Sequence, residues 1–185
     1  MLTASVSWWS VSRSTGIVAT VLAAVARVGG LLFSARATGQ RLPPAWWLAL
    51  HNWLGGLTLT FTTAHVVAVF LDHDSGIGLK AIAIPTQALD LKTPITWGVL
   101  STYGFIVVVA TSWPKLRFPR RVWRAVHLLS LPAFVMACVH GYEVGSDGST
   151  TAFKVLLVAL TALVAFPVGL RLMGVRAKRV AATRK

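Results

Sequence analysis

Acidic side chains are scarce in this chain. Five Asp and Glu stand against 18 Lys and Arg in 185 residues, and charged residues make up only 12% of the total. A soluble domain carries about a quarter charged residues, so a water-facing globule is excluded. Cysteine occurs once, as Cys138 inside an apolar run. That excludes an intrachain disulfide, a CxxC pair and any Cys/His zinc spacing, and leaves Cys138 as a small packed side chain. No internal repeat, low-complexity segment or second domain interrupts the chain. The first apolar stretch is as long as a membrane span and its basic residues follow it, which argues against a cleaved signal peptide.

Apolar sequence is what the chain has in abundance: 55% hydrophobic residues, a mean hydropathy of +0.69 and eight tryptophans. The apolar runs are long and the polar punctuation between them is short. This predicts an all-α integral membrane protein, a bundle of five transmembrane helices in a single domain. The spans are expected at about 8–33, 44–71, 94–113, 119–141 and 151–173. Pro43-Pro44, Thr93-Pro94 and Pro119 open the second, third and fourth, since proline suits a first helical turn. Pro114 stops the third, Ser149 or Thr150 caps the fifth, and Pro167 is expected to kink it. At 1.5 Å per residue each crosses a hydrocarbon core of about 30 Å.

A formal charge of +13 would suit a nucleic-acid partner, but the placement of the charges points to a membrane instead. Arg36 and Arg41, the stretch Lys115 to Arg124, and Arg171 to Lys185 hold 13 of the 18 basic residues. Asp72, Asp74, Asp90, Glu143 and Asp147 all fall in the alternate loops. Basic loops alternating with acidic ones follow the positive-inside rule. They place the N-terminus outside and the C-terminus inside a multi-pass plasma-membrane protein with membrane lipid as its surroundings. The basic tail reads first as a topology signal, with anionic-lipid binding as the lesser alternative. The tryptophans at 8, 9, 46, 47, 53, 97, 113 and 123 mostly flank spans, as an interfacial belt does.

Four of the five histidines lie within expected spans: His51 and His65 on the second, His127 and His140 on the fourth. His73 falls in an outer loop and reads as solvated. An imidazole in the bilayer is costly unless paired or coordinated. Taken singly, each is as well explained by a hydrogen-bonded packing role as by ligation. Spacings of 14 and 13 residues correspond to a rise of about 20 Å, so each helix offers one histidine near either surface. His51 then matches His127 in depth, and His65 matches His140. Zinc would want three or four converging ligands, and no expected span carries a carboxylate. Two depth-matched histidine pairs suit a planar macrocycle that brings four nitrogens of its own, giving two six-coordinate haems stacked across the membrane. A 14-residue step returns to within about 40° of the same helix face, whereas a 13-residue step misses by about 140°. Pro132, between His127 and His140, is positioned to distort the helix and re-aim one of them.

These spacings, with the strings SRSTG (Ser12 to Gly16), HNWLGGLTLTFTTAH (His51 to His65) and WRAVHLLSLPAFVMACVHG (Trp123 to Gly141), resemble the ferric reductase-like transmembrane domain. That family includes NADPH oxidases, ferric reductases and the membrane subunit of a periplasmic methionine sulfoxide reductase system. The likeness runs over roughly residues 8 to 173. It implies two haem b groups, an inner one on His51 and His127 and an outer one on His65 and His140. It also implies an outer haem propionate as partner for Arg13, an alternative to snorkelling toward water. Members usually have six spans, and the first has no counterpart here. Nor has the flavin and nicotinamide domain of the oxidase type, so this is expected to be a stand-alone form with any flavin on a partner protein.

Arg27 lies level with His51 and, with no acid in any span, would find its counter-charge in a haem propionate or snorkel inward. Arg124 precedes His127 by one turn and either reaches an inner propionate or marks topology. Gly55 and Gly56 admit either a macrocycle or close helix packing. With both axial positions filled by protein, a haem passes single electrons and binds no substrate. The expected role is therefore the electron-transfer component of a multi-subunit oxidoreductase. It would take electrons from an inner flavoprotein or a membrane quinol and deliver them to an extracytoplasmic acceptor. Two rivals are a metal-ion or haem permease using the histidines as a pathway, and a non-catalytic membrane anchor of a larger complex.

Overall fold

A computed structural model describes residues 7–34, 43–112 and 118–183. The expected basic residues Arg36, Arg41, Lys115, Arg117, Arg184 and Lys185, the stop at Pro114 and the belt residue Trp113 lie outside them. Seven α-helices and two short 3-10 turns make up the described residues, and there is no strand among them. They are α1 (Trp8–Ser34), α2 (Pro44–Leu71), α3 (Leu79–Ala83), α4 (Lys92–Thr111), α5 (Arg120–Leu128), α6 (Ser130–Val144) and α7 (Thr151–Thr183). Five segments are long and apolar enough to cross a membrane: α1, α2, α4, α5 with α6, and α7 as far as Gly169. The protein is an all-α, multi-pass membrane protein.

The local reasons are those of the sequence. Pro44 occupies the first turn of α2, where a missing N–H costs nothing, and Pro43 before it sits at φ −58°, ψ 142°. The hydroxyls of Thr20, Thr58, Thr60, Thr62, Thr63 and Thr102 each donate to the carbonyl four residues earlier at 2.8–3.0 Å, which satisfies them inside apolar helices. The outer faces are apolar and open: Trp53 is 72% exposed and Phe166 69%. In water such faces would drive aggregation, whereas lipid covers them without penalty.

Small residues bring the helices together. α1 runs along α2, α4 runs along α6, and α7 packs against α1 and α6. Ala24 is wholly buried in a core with Ala23, Phe134, Leu160 and Val164, drawn from α1, α6 and α7. Buried Ser101 donates to the Ala133 carbonyl at 2.9 Å, tying α4 to α6 where Gly104 faces the Ala133 methyl. By contrast, α2 does not run alongside α5 or α6. The two histidine-bearing strips thus face each other without close backbone packing between them.

The loop after α2 is folded, with a 3-10 turn at His73–Ser75 and α3 resting on the start of α4 through Ala81, Ala88, Ile95 and Val99. The Tyr103 hydroxyl closes it by donating to the Ala83 carbonyl. His73 is exposed, in keeping with a solvated residue. Two expectations need correction. α6 continues to Val144 and takes Glu143 into its last turn, so one carboxylate does belong to a span helix, at its exposed end. α7 continues as helix through Pro167 to Thr183, well past Met173.

Candidate functional site

The fourth expected span is two helices. α5 ends at Leu128 and α6 begins at Ser130, with Leu129 as a turn whose N–H bonds only three residues back, to Val126. Pro132 explains the position of the break. It has no N–H for the Leu128 carbonyl, and its ring crowds that same carbonyl. The interruption lies between the two histidines, and both now face partners on α2. The His51 and His127 ring centres are 5.9 Å apart at an interplanar angle of 56°. Those of His65 and His140 are 6.1 Å apart at 83°. The 13-residue step is therefore compatible with two facing pairs, because the helix is not continuous across it. Pro132→Ala is expected to heal the break and rotate His127 away from His51. Removing an interior proline favours the helix by about 3 kcal/mol, so the segment should gain helicity while the His51–His127 rings cease to face each other, and any haem held between them would be lost. Circular dichroism and haem quantification on one preparation would show both changes.

Each imidazole is fixed through Nδ1. His65 Nδ1 donates to the Ser12 carbonyl at 2.7 Å, with the Ser12 hydroxyl at 3.3 Å. His51 Nδ1 donates to the Ala26 carbonyl at 3.0 Å, and His140 Nδ1 to the Pro94 carbonyl at 2.9 Å. His127 Nδ1 lies 3.3 Å from the Ser112 hydroxyl. That hydroxyl spends its proton on the Val108 carbonyl at 2.7 Å, so it accepts from His127. A carbonyl can only accept, so in every case the proton sits on Nδ1 and the lone pair is on Nε2. This is the arrangement found around metal-ligating histidines, where the second nitrogen is anchored to orient the first. Trp123 also stacks on His127, with ring centres 4.8 Å apart and planes 23° apart. In the sequence Trp123 stands out only as one of eight tryptophans that mostly flank spans.

The pairs can be tested for fit to a haem. Metal–imidazole bonds of about 2.0–2.1 Å put opposed ring centres roughly 6 Å apart, and both pairs meet that spacing. No group of three or more His, Cys, Asp or Glu side chains converges among the described residues. A two-ligand centre therefore suits a macrocycle better than a bare tetrahedral metal. His65 and His140 also line an apolar cavity of about 1460 Å³, counting its open mouth, bounded by α1, α2, α4, α6 and α7. Its walls are mostly apolar, with a few polar side chains converging on them, which is the character of a cofactor pocket.

The basic residues fare differently. Arg13 lines the same cavity but pairs with Asp147 in the 3-10 turn at Ser146–Ser149. Arg27 follows the residue that anchors His51 and turns into the bundle. One guanidinium nitrogen donates to the Ser130 hydroxyl, and Nε is buried without a partner. Ser130 in turn donates to the His127 carbonyl at 2.6 Å. Arg124 stands exposed on α5. Gly55 and Gly56 face open space, since an added Cβ would meet nothing within 4 Å, so close helix packing does not explain them. The glycines that do touch the site are Gly16, Gly30 and Gly98, against His65, His51 and His140. Of these only Gly16 lies in a string singled out from sequence.

Comparison with known proteins agrees with this picture. The model of the family described as ferric reductase like transmembrane component matches residues 15–138, about two thirds of the chain. The match includes His51, His65 and His127 and stops two residues before His140, whose place rests on the facing geometry. No curated protein matches the chain. The chain belongs to the ferric reductase like transmembrane component family.

Proposed function

We propose that the protein is a di-haem b-type cytochrome of the plasma membrane, with one haem between His51 and His127 and a second between His65 and His140. Membership of the family carries a membrane oxidoreductase-type function and haem binding. The number of haems, their ligands and the route of the electrons are what the proposal adds. The observation that carries it is the set of four imidazoles, each anchored at Nδ1 and opposed in two pairs at 5.9 and 6.1 Å.

Held between His51 and His127, or between His65 and His140, a haem would supply one-electron chemistry. The chain's own residues do the rest. Ser12, Ala26, Pro94 and Ser112 hold the Nδ1 protons and aim the Nε2 lone pairs. Arg27, with a buried Nε that lacks a partner, provides the counter-charge for an inner propionate. Arg13 serves the outer propionates while sharing its charge with Asp147, and Arg124 adds positive charge at the inner surface. The two sites are separated by 14 residues of α2, a rise of about 21 Å. With the N-terminus outside, electrons pass between an inner donor or a quinol and an extracytoplasmic acceptor. The loops at 72–92 and 142–150 form the outer docking surface, and a flavin, where one takes part, resides on the partner. A permeation pathway would need histidines free to exchange partners, which four fixed Nδ1 contacts disfavour.

The test is an oxidised-minus-reduced visible spectrum of the detergent-purified chain, with haem quantified per polypeptide. Two low-spin b haems per chain are expected. Their absence from protein expressed with ample haem would overturn the proposal.

A further inference from the structure

Three of the four histidines are held by one local device, used three times. The accepting carbonyls belong to Ser12, Ala26 and Pro94, and each lies four residues before a glycine: Gly16, Gly30 and Gly98. In an α-helix the carbonyl of residue i points at the N–H of residue i+4. Because Cα–Cβ bonds tilt toward the N-terminus, the side chain at i+4 overhangs that carbonyl. A ring from a neighbouring helix reaches the carbonyl sideways only where the overhang is missing. The distances bear this out. A Cβ on Gly16 would stand 3.0 Å from His65 Nδ1, one on Gly30 3.0 Å from His51 Cε1, and one on Gly98 2.7 Å from His140 Nδ1.

The requirement is specific to these positions. Gly29, adjacent to Gly30 on the same helix, would meet nothing within 4 Å. The spacing is also matched across the hairpin: Gly16 and Gly30 are 14 residues apart on α1, as are His51 and His65 on α2. Antiparallel helices of equal rise keep both contacts in register. His127 is the exception. Its acceptor is a hydroxyl on Ser112, where α4 ends, and no overhanging side chain has to be removed there.

We infer that Gly16, Gly30 and Gly98 are positioning residues, each uncovering the helix carbonyl four residues before it so that a facing histidine can lodge its Nδ1 proton there and present Nε2. The inference rests on the ligand reading proposed above, but it concerns a contact that exists with or without a bound group. Losing a partner that orients a ligand typically costs about 10–100-fold in affinity. Gly98→Ala and Gly16→Ala are accordingly expected to weaken haem retention at the His65–His140 site by that factor and to spare the other site. Gly30→Ala should do the reverse, and Gly29→Ala should retain both haems.

The decisive experiment is a double-mutant cycle on the full-length protein in detergent: Gly98→Ala, His140→Ala and the two combined, read by thermal unfolding as well as by haem content. Gly98→Ala is expected to lower Tm in the parent, and to leave it unchanged or raise it once His140 is alanine, because the new methyl then meets no ring. Recovery of a poorly accumulating Gly98→Ala by the second substitution would support the inference in the same way. Equal loss of Tm in both backgrounds would overturn it, as would failure of both the single and the double variant to fold, since either assigns the glycine to helix packing. Simultaneous loss of both haems in each glycine variant would overturn it too. If the parent chain holds no haem, the ligand reading fails while the cycle in Tm still decides the glycine–histidine contact.

Discussion

His140→Ala is expected to lower the haem content from two per chain to one, with a spectrum that retains the His51–His127 haem unchanged. The reason is the isolation of the two sites. Each histidine opposes one partner, and the rings of a pair are about 6 Å apart, while the pairs are separated by about 21 Å along α2. Effects at that separation add independently, so the pattern across variants is diagnostic. His51→Ala combined with His127→Ala should leave one haem, because both substitutions fall on the same site. His51→Ala combined with His140→Ala should leave none, because each site then lacks a ligand. The crossed assignment, His51 with His140 and His65 with His127, inverts these two results. Haem quantification on purified protein distinguishes them, provided each variant inserts and purifies as a monodisperse species. Loss of one haem from both double variants would sink the proposed pairing.

The second large effect concerns transport of electrons. Reconstituted into sealed vesicles, the parent protein should let a membrane-impermeant reductant on one side reduce an impermeant ferric acceptor trapped on the other. Each single histidine variant should bring that rate down to the level of vesicles without protein. On the proposed two-haem reading, neither haem alone would cross a hydrocarbon core about 30 Å thick, so both histidine pairs would be needed. An intact rate in His65→Ala or His127→Ala would mean that electrons cross without the two-site chain, and the wire would have to be abandoned.

Much of the fold was legible because bilayer insertion is written in composition. Apolar run length sets the number of spans, and prolines mark several of their starts. Expected and observed bounds coincide at residues 44 and 71 for α2, where Pro43 and Pro44 open the helix and polar Asp72 follows it. The ends of α6 and α7 were harder to read. Helices continue beyond the hydrocarbon edge where nothing breaks them, so hydropathy underestimates their length, as at Glu143 and beyond Met173. The break at Leu129 was signalled by Pro132, but its extent was not, since a proline inside a helix either kinks or interrupts it.

The candidate site divides along the same line. Helical rise is a property of the chain alone, so counting residues was enough to put His51 level with His127 and His65 level with His140. Rotation about each helix axis, and what each ring touches, depend on neighbouring helices that are distant in sequence. The Ser12, Ala26 and Pro94 carbonyls could not be read as histidine anchors, because a main-chain acceptor has no residue signature. Gly30 and Gly98 look like any other membrane-helix glycine until a facing ring is seen against them. Sequence leaves Arg13 with a haem propionate or water as its partner, and only the folding back of the turn at Ser146–Ser149 brings Asp147 to it. By itself, then, the sequence determined the solvent, the number of crossings and the depth of each histidine, because hydropathy and helical rise act along one dimension. Tertiary structure decided which rings oppose each other and what orients them, because facing is a relation between helices, set by packing around small side chains and one helix break.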